Sequence, residues 1–101
     1  MHIYHILMPD VWAAFAGEAY EAAGLADEGF IHCSYEHQID AVLGRYYSGA
    51  ESVIILTLDT DRLTSRLVEE PSTGGEVYPH IYGPIDRDAI VKATERKLTG
   101  M

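Results

Sequence analysis

The sequence predicts an α+β fold whose sheets are substantially antiparallel. Three observations carry that reading. The patterns run strand, helix, strand, helix and then mostly strands. From residue 52 onward the connections are too short for helical crossovers, so neighbouring strands there must run antiparallel. Ser52-Val53-Ile54-Ile55-Leu56-Thr57-Leu58 is also rich in β-branched residues and reads as a central strand.

Residues 2–8, His-Ile-Tyr-His-Ile-Leu-Met, open the chain as a short apolar strand. Alternation places Ile3, His5 and Leu7 on one face and His2, Tyr4, Ile6 and Met8 on the other. Pro9 and Asp10 suit the start of a helix, because proline fixes φ and a carboxylate favours the positive end of the helix dipole. Val11, Trp12, Phe15 and Ala16 form its apolar stripe, and its expected stop is Gly17 or slightly later. Residues 18–29 read as irregular, acidic connection with turns at Gly24 and Gly29. A second strand over 30–33 runs into Ser34, the expected N-cap of the next helix. Ile39, Val42, Leu43 and Tyr46 carry helical spacing, so the second main helix spans 35–47 and closes at Ser48-Gly49. After the central strand come a single helical turn over 59–63 and a strand around 66–69. Residues 71–75 form a polar loop suited to a mobile flap. The last two strands lie at 77–82 and 89–96, separated by Gly83-Pro84.

A chain of 101 residues and 11.2 kDa fits one domain, 1–101, with 48% apolar residues to build a core. One cysteine, Cys33, cannot form an internal disulfide, and neither a signal segment nor a long apolar run is evident. The expected compartment is therefore the cytoplasm. Sixteen acids against seven bases leave a net charge of −9, and residues 1–44 contain no Lys or Arg. That balance opposes binding to long nucleic acids and to anionic membranes, both of which need a basic face. A small ligand held by a few directed hydrogen bonds is compatible with it.

Histidines supply the candidate chemistry. His5, His32 and His80 all sit in apolar strand settings. Taken singly, each fits a core residue whose ring bonds a backbone carbonyl. Taken together, they converge on one cleft wherever their strands are neighbours. Alternation sets His32 beside Ser34, and His80 beside Tyr78 and Tyr82, whereas Cys33 faces away from His32. A metal-dependent hydrolase is a further reading, but the spacing is scattered, with no CxxC and no HExxH. Cys33 fits a small buried hydrophobe better than a nucleophile. Glu69 and Glu70 read as solvated loop charges. Glu76 directly precedes the strand of His80 and is the acid placed to reach the same cleft. Neither a Walker motif nor GxGxxG is present.

Three segments, Tyr4-His5-Ile6, Glu28-Gly29-Phe30-Ile31-His32-Cys33-Ser34 and Tyr78-Pro79-His80-Ile81-Tyr82-Gly83-Pro84-Ile85, resemble the DUF952 family of small, mostly bacterial proteins of unassigned function. The resemblance covers nearly the whole chain in order. It implies a fold similar to ADP-ribosyltransferases and RNA 2′-phosphotransferases: split, mostly antiparallel sheets clasping NAD or an ADP-ribose-like group. His5 matches the first-strand histidine those enzymes use on a ribose. His32 stands where many transferases carry tyrosine and the phosphotransferases carry histidine. The third position, commonly a glutamate, has no clean match, and Glu76, His80 and Tyr82 are the candidates for it. The arginines that the phosphotransferases place on phosphate are unmatched in the first half.

The functional expectation is thus a domain that binds NAD or a related nucleotide, with ADP-ribosyltransferase or NAD glycohydrolase activity as the implied chemistry. The binding residues would be His5, His32, Ser34, His80 and Tyr82, and the catalytic set His5, His32, Glu76 and His80. Ser34 and the following helix N-terminus would offer donors to phosphate. The rival reading is a non-catalytic module for another small ligand or a protein. An essential imidazole of ordinary basicity predicts binding that changes between about pH 5 and 8.

Overall fold

Residues 1–98 are described by a computed structural model. In chain order the elements are β1 (His2–Leu7), α1 (Pro9–Ala14), β2 (Ala19–Tyr20), α2 (Ala23–Glu28), β3 (Ile31–His32) and α3 (Ile39–Tyr46). There follow β4 (Ser52–Asp59), β5 (Arg66–Pro71), β6 (Val77–Tyr82), β7 (Ile85–Asp86) and β8 (Ile90–Lys97). Every strand pair among the described residues is antiparallel. They form two three-stranded sheets, β1-β4-β8 and β3-β6-β5, and a small ribbon, β2-β7.

The first sheet is built on β4, whose apolar residues are buried on both faces. Directly opposed residues share a face, so Ile3 with Leu58 and Leu7 with Ile54 form one inner surface. That surface meets Ile31, Cys33 and Ile81 of the second sheet in the larger core. The reverse face presents Ile6, Val53 and Ile55 to Ile39 and Leu43 of α3, the smaller core. The helical spacing of residues 39–46 therefore has its cause in a β-sheet that needs its back covered.

Several expectations change. The helix expected over 35–47 starts as a single 3₁₀ turn, Glu36–Gln38, before α3. Ser34 is not its N-cap, because its backbone is committed to Tyr4; the Gln38 side chain instead accepts from the Tyr35 amide at 2.9 Å. The first helix ends at Ala14, since Phe15 is already extended. Residues 18–29 are not irregular. They hold β2, which exists only by pairing with β7, and α2, a third helix that stops where Gly29 adopts φ +84°. The polar loop is the closed end of the β5–β6 hairpin, with the Gly75 amide on the Ser72 carbonyl and the Ser72 amide on the Glu76 carbonyl, both 2.9 Å. No helix among the described residues is long and apolar enough to cross a membrane.

The turn after β6 rests on Gly83, at φ +153°. A Cβ there would lie 2.9 Å from the Cβ of Ser65, whose hydroxyl donates to the Pro84 carbonyl at 2.6 Å. Both backbone and space thus demand glycine. Gly83→Ala is expected to lower unfolding stability by about 2 kcal/mol or more. Urea denaturation at neutral pH measures this, and an unchanged midpoint would contradict the packing described.

Candidate functional site

The site begins where the two sheets touch. Tyr4 of β1 and Ser34, just beyond β3, exchange both backbone hydrogen bonds, 2.8 Å and 2.7 Å long. In an antiparallel ladder the next exchanging pair lies two residues on in each strand, here Ile6 with His32. That pair does not form; the Tyr4–Ser34 bridge stands alone. The strands part, and the carbonyls of the missing pair need other donors. The His5 ring takes one, with Nδ1 2.8 Å from the His32 carbonyl oxygen. The Tyr47 hydroxyl takes the other, donating to the Ile6 carbonyl at 3.3 Å.

Between the parted edges lies a cleft of about 740 Å³. His5, Tyr20 and Cys33 line its inner part, and Ser34 its wall toward the second sheet. Arg45 and Tyr47 come from the end of α3, Tyr78 from β6, and Glu28, His32 and Ser72 also line it. A donating Nδ1–H requires the neutral His5 ring to carry its proton there, so Nε2 is a lone-pair acceptor. Nε2 has no protein partner among the described residues. Burial pushes the His5 pKa from 6.5 down to about 4, so the ring is neutral at pH 7. Burial also pushes the Cys33 thiol up, which leaves it protonated and a poor nucleophile.

Arg45 is the cation of the cleft. Its Nη1 donates to the Tyr78 hydroxyl at 3.3 Å, and it forms no ion pair with a carboxylate among the described residues. Sequence reasoning passed over it. Its signal was its place as the first Lys or Arg in a chain with net charge −9, on a helix whose opposite face is apolar.

His80 and Tyr82 are not on this cleft. β3 lies between β6 and the parting of the sheets, and their side chains share with His32 the face of the second sheet opposite Ile31 and Ile81. There His32 and His80 are directly opposed, with ring centroids 5.1 Å apart. Phe30 stacks on His80 at 4.2 Å and 19°. The His80 Nδ1 is 2.7 Å from Glu70 Oε1, which also accepts from the Tyr82 hydroxyl. The bonds from Tyr82 and His80 hold the Glu70 carboxyl below its ordinary range, and Glu70 in turn raises the Tyr82 phenol. His32 joins this group through its ring and reaches Glu28 with Nε2 at 3.1 Å.

Glu76 does not reach the cleft either. The Gln38 amide donates to the Val77 carbonyl at 2.8 Å and pins the start of β6 beside the 3₁₀ turn. Glu76 is left near His37, 3.9 Å away, and accepts from the Tyr78 hydroxyl at 3.5 Å. The acid lining the cleft is Glu28. Glu69 and Glu70 are not on a loop: both lie in β5, where Glu69 is exposed and accepts from the Tyr35 hydroxyl and Glu70 is half-buried. No three His, Cys, Asp or Glu side chains among the described residues are grouped to hold a metal ion.

Residues 6–93 match the family model described as a protein of unknown function, DUF952. The chain belongs to the DUF952 family. Tyr4 and His5 lie just before the matched stretch, and the other residues of the cleft and of the His80 group fall inside it. The crystal structure of protein CC0527 from Caulobacter crescentus has a TM-score of 0.82 to this DUF952 chain at 29% identity, covering 94% of this chain and 85% of that one. A crystal structure of its double-methionine variant gives 0.82 at 28% identity over the same shares of the two chains. The solution NMR structure of CC0527 gives 0.76 at 29%, covering 92% and 82%. No curated protein is significantly similar to the sequence.

The His5 geometry fixes the sign of a pH effect. Its folded pKa, about 4, lies below the 6.5 of a free ring, so between those values the unfolded chain binds more protons. The stability that neutral His5 contributes is present above about pH 6.5 and is lost as pH falls toward 4, by up to about 3 kcal/mol. Protonation of His5 in the folded chain thus falls below the pH 5–8 window expected for an ordinary imidazole. Urea unfolding at pH 7 and pH 4.5 should show the loss in the wild type and a smaller one in His5→Gln. Equal losses would contradict the burial of a neutral ring.

Proposed function

We propose that the cleft binds an ADP-ribose-type nucleotide, NAD among them, with His5 Nε2 accepting from a ribose hydroxyl and Arg45 facing the phosphates. The observation that carries this reading is the His5 ring. It is anchored by Nδ1 to the His32 carbonyl at the point where the sheets part, and its acceptor nitrogen is left for a donor in the cleft. A ribose offers such donors, and the neutral ring is an acceptor throughout the physiological range. Arg45, with no carboxylate partner among the described residues, supplies the positive group that an acidic protein needs at an anion site. Two separated antiparallel sheets with a histidine on the first strand also agree with the resemblance to ADP-ribosyltransferases. A cleft of about 740 Å³ is of the size small-molecule sites have.

Turnover rests on a narrower base. Cleavage of the nicotinamide–ribose bond of NAD generates a cationic sugar, which a nearby carboxylate stabilises electrostatically. Glu28 is the acid at the cleft and takes the role first assigned to Glu76, with His32 at 3.1 Å as its partner. Binding is therefore the primary activity, with glycohydrolase or transferase chemistry resting on Glu28.

Millimolar ADP-ribose or NAD is expected to raise the thermal midpoint of the wild type by a few degrees. The rise should vanish in His5→Ala and shrink several-fold in Arg45→Ala, each first shown to be folded. If ADP-ribose, NAD and ADP all leave the wild type unmoved, the nucleotide reading falls and the module for another small ligand takes its place. Nicotinamide release from NAD, followed by chromatography, tests turnover: Glu28→Gln should slow it at least tenfold, and Glu76→Gln should leave it unchanged.

A further inference from the structure

The outer face of the second sheet carries a feature that nucleotide binding in the cleft does not use. His80 is 2% exposed, and its Nε2 is buried without a hydrogen-bond partner among the described residues. Leaving such a group unpaired costs stability relative to pairing it. Its Nδ1 is committed to Glu70 at 2.7 Å. Because a carboxylate only accepts, the ring proton belongs on Nδ1, and the neutral ring keeps its lone pair on Nε2. Glu70 is itself held by the Tyr82 hydroxyl. The imidazole is thus oriented, buried and unsatisfied at one nitrogen.

Its cover is aromatic. Phe30 stacks on the His80 ring, the His32 ring meets both edge-on, and Tyr82 leans on Phe30 at 5.2 Å. Phe30 follows Gly29, whose left-handed backbone ends α2, so this cover is carried on a connection between elements and not within a strand. Two carboxylates, Glu28 and Glu70, flank the rings, which disfavours an anion there. A planar ring of neutral or positive charge suits these walls, and a hydrogen-bond donor on it would satisfy Nε2.

We propose that His80, positioned by Glu70 and covered by Phe30, is a second binding site, taking a planar aromatic or heteroaromatic molecule that bears an N–H or O–H donor. As Phe30 gives way, the ligand meets the imidazole at its edge, with its donor in the ring plane at His80 Nε2 and its own ring against the His32 and Tyr82 side chains. Glu70 is a positioning residue, since it touches the imidazole and not the ligand. This site does not rest on the nucleotide reading of the cleft, because Arg45 and His5 take no part in it.

Histidine side-chain ¹⁵N–¹H spectra test it on the full chain at pH 8, with 2-aminopyridine and phenol as probes and benzene as the ring without a donor. His80 Nε2 is expected to resonate as an unprotonated nitrogen. It should move on adding 2-aminopyridine or phenol but not benzene, with several-fold tighter binding in Phe30→Ala. Phe30→Leu serves if the alanine variant does not fold. Glu70→Gln should weaken the response, and Arg45→Ala should leave it intact whether or not nucleotides bind the cleft. A protonated Nε2, an equal response to benzene, or no response in either the wild type or the folded Phe30 variant would overturn the proposal and make His80 a buried structural ring.

Discussion

Two sheets held together at one backbone pair set the terms for the rest of this structure. Tyr4 and Ser34 exchange their hydrogen bonds, and the strands then separate before Ile6 and His32 can do the same. Parting two strands orphans backbone groups that water cannot freely reach, and each needs a side-chain donor. His5 and Tyr47 meet that need for the two carbonyls. A cleft between sheets, an imidazole whose free nitrogen is an acceptor and a tyrosine at the α3 side thus follow from one interrupted ladder. The register matters as well. Shifting β3 by one residue would place Cys33 opposite His80 and turn the core residue Ile31 outward.

The same geometry divides the histidines between two environments. His5 faces the interior between the sheets, where desolvation keeps it neutral. His32 and His80 stand on the outer face among Phe30, Tyr82 and two carboxylates. β3 separates the two settings, and His32 belongs to both: its carbonyl anchors His5, while its ring meets His80. A strand only two residues long can do this because successive side chains point to opposite faces while carbonyls lie in the plane of the sheet.

Local pattern was enough for β1, β4, β6 and α3, because alternation and helical spacing record which face is buried. It also placed His32 with Ser34 and His80 with Tyr82 on shared faces, as the register of β3 and β6 shows. It did not find β2 or β7, two-residue strands that exist only through each other. It set His80 and Tyr82 on the wrong side of β3, because alternation gives relative faces but not which sheet edge borders the cleft. Glu70 looked like a loop charge because β5 runs on to Pro71 and carries it beside His80. Arg45 was on a helix correctly read, but its reach to Tyr78 depends on a contact 33 residues away. Membership of the DUF952 family was legible from short segments, the last two of which fall within the matched residues.

A crystal structure of the protein grown with ADP-ribose tests most directly whether the parted sheets form a nucleotide site. The ribose should lie with a hydroxyl within hydrogen-bond distance of His5 Nε2, and the diphosphate should be beside Arg45. The His5 Nδ1 bond to the His32 carbonyl should remain in place. Nucleotide bound elsewhere on the molecule, or a His5 ring turned so that Nδ1 leaves that carbonyl, would contradict the account.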